Sequence, residues 1–339
     1  MTSVGHTSHW MRLTLAVAAT LQALVAVAQS APASGTFVDP VTWLARVRQA
    51  ALTRNYQGTL VFNASGVVSS SRVAHYCEGK QRYERIDVLD GETRQVFRHN
   101  EVTQTLWPKA RVAVIEHRDL PGEFPSLPAI DARGLEAYEL RLLGTERMAG
   151  HEAQVLLLKP RDGHRFAQRL WADQSSGLLL RADILGSKGE VLESAAFSDV
   201  VIGGKAQPEA VLAPMRKLEG YRVVRPSVVR TQLETEGWSQ VRAVPGFQLV
   251  SCLKRPLSAA HESKASSDAN VLQAVFSDGM THVSVFVEPF DAQRHKPVAT
   301  SLGATHTLMS RVGAWWITAM GDVPMATLQL FAASLDRRP

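Results

Sequence analysis

A chain of 339 residues is long enough for two cores of ordinary size, and with 45% apolar and 20% charged residues it belongs with folded proteins rather than with disordered or collagen-like ones. Its formal charge of +5 and sequence pI near 9.4 are a mild basic excess. That excess suits an acidic peptide or anionic lipid head groups and does not point to nucleic acid, although dispersed Lys and Arg equally describe a solvated surface.

Leu13 to Ala28 is almost wholly apolar, follows Arg12 and ends in Ala26-Val27-Ala28, the pattern of a cleaved signal peptide over 1–28. The run is shorter than the roughly 20 residues of a spanning helix, and no cysteine follows it to carry a lipid anchor. A helix follows: Asp39 can cap it, Pro40 fits its first position, and Trp43, Leu44, Val47 and Ala51 make one apolar stripe up to Asn55. Tyr56 to Phe62 then alternates, with Tyr56, Leu60 and Phe62 on one face of a half-buried strand.

Turn signals recur at Asn63-Ala64-Ser65-Gly66, Asp90-Gly91, Ser175-Ser176-Gly177 and Gly186 to Gly189, which predicts one antiparallel sheet. Between Leu120 and Pro128 three prolines interrupt it, so this stretch is a loop, either a plain connection or a lid carrying Phe124 and Leu127. The punctuated run through Gly203-Gly204, Pro208 and Pro214 marks a boundary. Beyond it Val271 to Phe276, Asp278-Gly279 and Met280 to Val287 form a hairpin, with Ser258 to Ala269 as its lead-in. Pro324 then starts a helix whose Met325, Leu328, Phe331 and Leu335 share a face that can cover a second sheet.

Catalytic signatures are lacking: there is no G-x-S-x-G, G-x-G-x-x-G, P-loop or H-E-x-x-H. His151-Glu152 and His261-Glu262 lack the second histidine of a helical zinc site, and His75 and Cys77, which can share a strand face, have no further ligands nearby in the chain. The expectation is a binding protein with no metal or cofactor, and not an enzyme. An oxidising compartment permits a bridge between Cys77 and Cys252, with two separate thiols as the alternative. Five tryptophans, Trp107, Trp171, Trp238, Trp315 and Trp316, join many branched residues in this β scaffold. In Leu170-Trp171-Ala172 and Leu178-Leu179-Leu180 both strand faces carry large apolar groups, which describes either a doubly covered core or a sheet that offers one face to an acyl chain or peptide.

Taken together in order and spacing, several segments resemble the periplasmic sigma-E factor regulators of the RseB and MucB type. They are Tyr56 to Phe62, Arg147-Met148-Ala149-Gly150-His151-Glu152-Ala153, Leu170-Trp171-Ala172-Asp173 and Ser176-Gly177-Leu178-Leu179-Leu180-Arg181, then Pro245-Gly246-Phe247, Phe276-Ser277-Asp278-Gly279, Ser284 to Glu288 and Gly321-Asp322-Val323-Pro324. The resemblance implies an α+β, mainly antiparallel β protein: an unclosed barrel with helices in its concavity, like the lipoprotein carriers, over 31–214, and a smaller αβ domain over 221–339. It also implies a periplasmic regulator that binds the periplasmic part of a membrane-embedded anti-sigma factor and shields it from regulated proteolysis, with lipopolysaccharide or a related lipid promoting release. The alternative is a periplasmic lipoprotein or lipid carrier, and a homo-oligomer is left open. Candidate pocket residues for lipid or peptide are Leu60, Phe62, Leu170 and Leu180 on apolar strand faces, with Phe124 and Leu127 at the border.

Overall fold

The computed structural model describes residues 39–117, 124, 125, 127, 132–256 and 270–337; the expected signal peptide, most of the Pro-rich loop and the Ser258–Ala269 lead-in lie outside these residues. The first helix, α1 (Pro40–Thr53), opens on Asp39, whose carboxylate accepts the Thr42 amide at 3.0 Å. It buries Trp43, Leu44, Val47, Ala50 and Ala51 along one stripe. The chain then makes six strands, β1 (Tyr56–Ala64), β2 (Val67–Glu78), β3 (Gln81–Val88), β4 (Gln95–His99), β5 (Val102–Trp107) and β6 (Val112–His117). Short α2 (Ala132–Glu136) leads into β7 (Tyr138–Met148), β8 (His151–Pro160), β9 (Ala167–Asp173), β10 (Leu179–Leu185) and β11 (Val191–Ile202). After α3 (Glu209–Arg216), β12 (Arg222–Val224) returns to the same sheet.

The order across this sheet is β12-β6-β5-β4-β3-β2-β1-β11-β10-β9-β8-β7, antiparallel except where β12 runs parallel to β6. Ser65 and Gly66, both with positive φ, supply the two-residue turn from β1 to β2 that the Asn63 to Gly66 signal predicts. The end strands β12 and β7 do not pair with each other, so the sheet stays open. It is nonetheless strongly curved. Helix α1 touches β2, β10 and β7, and β2 and β7 stand six strand spacings apart, about 29 Å of flat sheet at ~4.8 Å each. A 14-residue helix is only about 21 Å long, so the sheet must wrap around it.

The two faces of β2 show which helix lies on which side. The Cys77 thiol donates to the Leu52 carbonyl at 3.0 Å and His75 Nδ1 lies 2.9 Å from the Arg54 carbonyl, both at the C-terminal end of α1. Tyr76, between them, points the other way, into a core of Tyr83, Phe97, Leu106, Ala113 and Val211 of α3. Helix α1 therefore lies in the hollow and α3 covers the opposite face.

The second sheet has the order β13-β15-β16-β17-β20-β19-β18, from β13 (Val229–Arg230), β15 (Gln248–Pro256), β16 (Asn270–Ser277), β17 (His282–Pro289), β18 (Val298–Leu302), β19 (Thr305–Val312) and β20 (Trp315–Gly321). The hairpin expected around Asp278-Gly279 is β16–β17, and its buried row Leu272/Val287, Ala274/Val285 and Phe276/Val283 lies in one core with Leu328 and Phe331 of α4 (Met325–Ser334). Two details differ from the sequence reading. Pro324 is the cap residue before α4 rather than its first helical residue. Leu335 is buried but not helical: the chain turns extended after Ser334, and β21 (Leu335–Arg337) pairs with β14 (Trp238–Gln240), which ends the helical period one residue early.

Candidate functional site

The hollow of the larger sheet is built by register. Pairing places Phe62, Ala195, Ala182, Leu170, Leu156 and Leu142 in a single cross-strand row on one face. Between Phe62 and Leu170 this row carries only the methyl groups of Ala195 and Ala182, both half-buried. Three strand spacings there, about 14 Å, form a low stretch flanked by larger apolar side chains. Leu60 belongs to the same face of β1, opposite Phe197 across a bulge in the pairing. Around Phe197 gather Tyr56, Leu60, Leu178, Leu180 and Phe124, with the Phe124 and Phe197 rings 5.7 Å apart.

The structure thus brings Leu60, Phe124 and Leu180 into one cluster and sets Phe62 and Leu170 in one row. Leu170 and Leu180 have no exposed surface, whereas Leu60, Phe62 and Phe124 are half-buried. Leu127 stands apart, in a cavity of about 100 Å³ with Val41, Leu44, Arg48, Leu135 and Met280, well below the ~300 Å³ at which ligand pockets begin. The tryptophans are mostly internal: Trp171, Trp238 and Trp316 are buried, and Trp107 and Trp315 half-buried.

Towards β6 the same face turns polar. The pairing runs Tyr56, His75, Glu84, Arg98, Thr103, Glu116 across six strands. Arg98 bonds Glu84 at 2.7 Å and Thr103 Oγ1 at 3.3 Å, and Glu116 lies 3.8 Å from Arg255 of the second sheet. Burial pulls the His75 pKa down, partly opposed by the Arg54 carbonyl on Nδ1, so the ring that stacks 4.9 Å from Tyr56 favours the neutral form. The hollow therefore has an apolar half of leucine, phenylalanine and alanine and a charged half.

Cys77 and Cys252 are free thiols and no bridge joins them. Cys77 is engaged by the Leu52 carbonyl, and burial raises its pKa. Cys252 lies in the core of the second sheet, pushed up to about 11 by burial and then by Glu236 and Glu234. Both favour the unreactive thiol form at neutral pH.

Sequence reasoning missed a buried polar centre between the two sheets. Arg165, on the β8–β9 loop, has a fully buried side chain and binds Asp278 Oδ2 through Nε at 2.5 Å. It also binds Asp162, and its Nη2 donates to the Pro245 carbonyl at 2.8 Å. Its guanidinium lies 4.7 Å from the Phe247 ring centroid, and the Tyr138 hydroxyl donates to Asp278 Oδ2 at 2.8 Å. Burial opposes the Arg165 charge, but the hydrogen bond and charge of Asp278, followed by Asp162, outweigh it and hold the pKa above its ordinary value. The sequence signal was faint: Asp278 sits in a turn dipeptide, and nothing near it in the chain points to an arginine 113 residues away.

Two family models match the chain, the MucB/RseB N-terminal domain over residues 39–215 and the MucB/RseB C-terminal domain over 232–336. Among curated relatives, the sigma factor AlgU regulatory protein MucB of Pseudomonas aeruginosa is 29% identical over 88% of this chain and 90% of its own length. The sigma-E factor regulatory protein RseB of Escherichia coli is 24% identical over 91% of this chain and 92% of its own. Among solved structures, MucB in complex with MucA(peri) superposes with a TM-score of 0.68 at 26% identity, covering 89% of this chain and 100% of that one. The chain thus belongs to the MucB/RseB family, whose N-terminal and C-terminal domain models both match it.

Proposed function

We propose that this protein is a periplasmic negative regulator of an envelope-stress sigma factor, which binds the periplasmic part of a membrane-embedded anti-sigma factor and shields it from regulated proteolysis. The observation that carries this reading is the superposition on MucB in complex with MucA(peri), which spans both sheets rather than the larger one alone. A lipid, lipopolysaccharide or a related amphiphile, is the releasing ligand. The two-sided hollow supports this: the Ala182–Ala195 stretch suits an acyl chain, and the Glu84–Arg98 ladder on the same face suits a polar head. A lipid that prefers the free regulator must weaken the anti-sigma complex by the same factor.

The deciding test is binding of the purified protein to the periplasmic segment of the host's anti-sigma factor, with and without lipopolysaccharide. Tight binding that lipid weakens is the expected result. Absence of binding beside clear lipid uptake overturns the regulator reading in favour of a carrier. Ala195→Leu fills the low stretch between Phe62 and Leu170 and is expected to reduce lipid uptake severalfold while leaving anti-sigma binding without lipid unchanged. Unaltered uptake by a folded variant places the lipid elsewhere.

A further inference from the structure

A second contact between the sheets lies at Glu193 of β11, a half-buried residue. Its register partners are Ala64 of β1 and Ile184 of β10, so neither neighbouring strand offers it a charge. Of the nearby ionisable groups on the larger sheet, Asp183 is committed to Arg181 and Ser194, and Glu190 accepts the Lys188 amide within its own hairpin.

The turn between β18 and β19 presses on this spot. The Gly303 amide donates to Ser65 Oγ at 2.9 Å, and a Cβ at Gly303 would lie 2.8 Å from the Ala64 Cβ and 3.2 Å from Glu193 Oε2. Ala304 has no exposed surface, and its amide donates toward the Glu193 carboxyl. From the bend just after β20 comes Asp322, held by Thr305 Oγ1 at 2.6 Å and the charge that bears on Glu193. From β19 comes His306, whose ring stands edge-on to Phe166 at 5.7 Å and whose Nδ1 is buried without a partner. Glu193 Oε2 is likewise sealed from solvent with no hydrogen-bond partner, and no Lys or Arg bears on the carboxyl among the described residues.

A carboxyl facing a second carboxyl in a closed seam is tolerated in its neutral form and repelled in its charged form. We propose that this seam is a proton-operated latch between the two sheets, held closed when Glu193 is protonated and loosened when it ionises. Burial, followed by the Asp322 charge, pushes the Glu193 carboxyl up to about 7 from an ordinary 4.5. An acid whose pKa is higher in the closed form takes up a proton on closing. Closure is therefore favoured most at low pH, and that contribution is lost as the pH rises through about 7. The latch needs neither the anti-sigma factor nor lipid, so it stands or falls apart from the regulatory reading.

The test is hydrogen exchange of the Gly303 and Ala304 amides in the full chain, corrected for intrinsic chemical exchange, between pH 5 and 8. The strands around Phe276 serve as an internal reference. Protection in the wild type is expected to fall by at least about tenfold as pH rises, one pKa unit of linkage being a factor of ten. Glu193→Gln, which cannot ionise, is expected to hold its protection flat. Asp322→Asn keeps the titrating group but removes the facing charge, and is expected to move the fall to lower pH. Protection that is flat in the wild type, or that falls equally in Glu193→Gln, overturns the latch.

Discussion

Arg165 and Glu193 are both ionisable side chains of the larger sheet and its loops, set into the contact with the smaller sheet, yet their surroundings are opposite. Arg165 meets two carboxylates and a carbonyl with three of its nitrogens and lies against an aromatic face. Glu193 meets another carboxyl and one amide, and one of its oxygens has no partner. Burial alone thus does not decide whether a charge persists. Around Arg165 the partners outweigh desolvation and the charged form is favoured; around Glu193 the nearest charge adds to desolvation and the neutral form is favoured. The first contact is indifferent to pH in the physiological range, and the second is conditional on it.

The comparison breaks most severely at Arg165. Arg165→Met removes the cation and strands the Asp278 carboxylate, whose side chain has no exposed surface. Breaking one partner of a buried pair costs about 3–5 kcal/mol, and urea unfolding at neutral pH should show a loss of that size. Adding Asp278→Asn should recover a good part of it. Asparagine discharges the site yet keeps an oxygen for the Met280 and Thr281 amides, each 2.8 Å from Asp278 Oδ1. Simple additivity of the two losses would show that Arg165 acts through packing on Phe247 rather than through charge.

Gly303→Ala attacks the second contact from the other side. Gly303 has φ +61, and the added Cβ would lie 2.8 Å from Ala64 Cβ and 3.1 Å from the Leu192 carbonyl oxygen. Strain and overpacking of this kind cost about 1–3 kcal/mol. The expected outcome is lost protection of the Ala304 amide at every pH, with the β16–β17 hairpin unchanged. A variant that still shows the pH-dependent fall at full amplitude would mean that the turn has room that its geometry denies.

These contacts also mark where sequence ceased to be informative. Helix α1 was legible because its determinants are local: a capping Asp39, Pro40 and a stripe of period 3.6. The β16–β17 hairpin was legible for the same reason, with strict alternation on both sides of Asp278-Gly279. The site was legible only in its polarity. Alternation shows that Leu60 and Phe62 share a face, but the row from Phe62 to Leu170 depends on pairing β1 with β11, far along the chain, and bulges beside Leu60 and Leu180 shift that register. Leu127 shares a loop with Phe124, yet it lines a separate cavity with α1, Leu135 and Met280. Glu193 shares its strand face with Ala195 and Phe197, and what presses on it is a turn 110 residues further on, which no local pattern announces.

The smallest expected effect separates the latch from ordinary adhesion at the same spot. Ser65 Oγ accepts the Gly303 amide at 2.9 Å in an exposed setting, and neither group titrates in the relevant range. Ser65→Ala removes one solvent-accessible hydrogen bond, at most about 1 kcal/mol, because water can replace the hydroxyl. Its effect on Gly303 protection should therefore be the same at pH 5 and pH 8, lowering the curve without changing its shape. Glu193→Gln should do the reverse, changing the shape and leaving the low-pH end in place. If Ser65→Ala instead abolished the pH dependence, the proton would be acting through the β1–β2 turn rather than through the carboxyl facing Asp322, and the contrast between the two contacts would have to be redrawn around the turn.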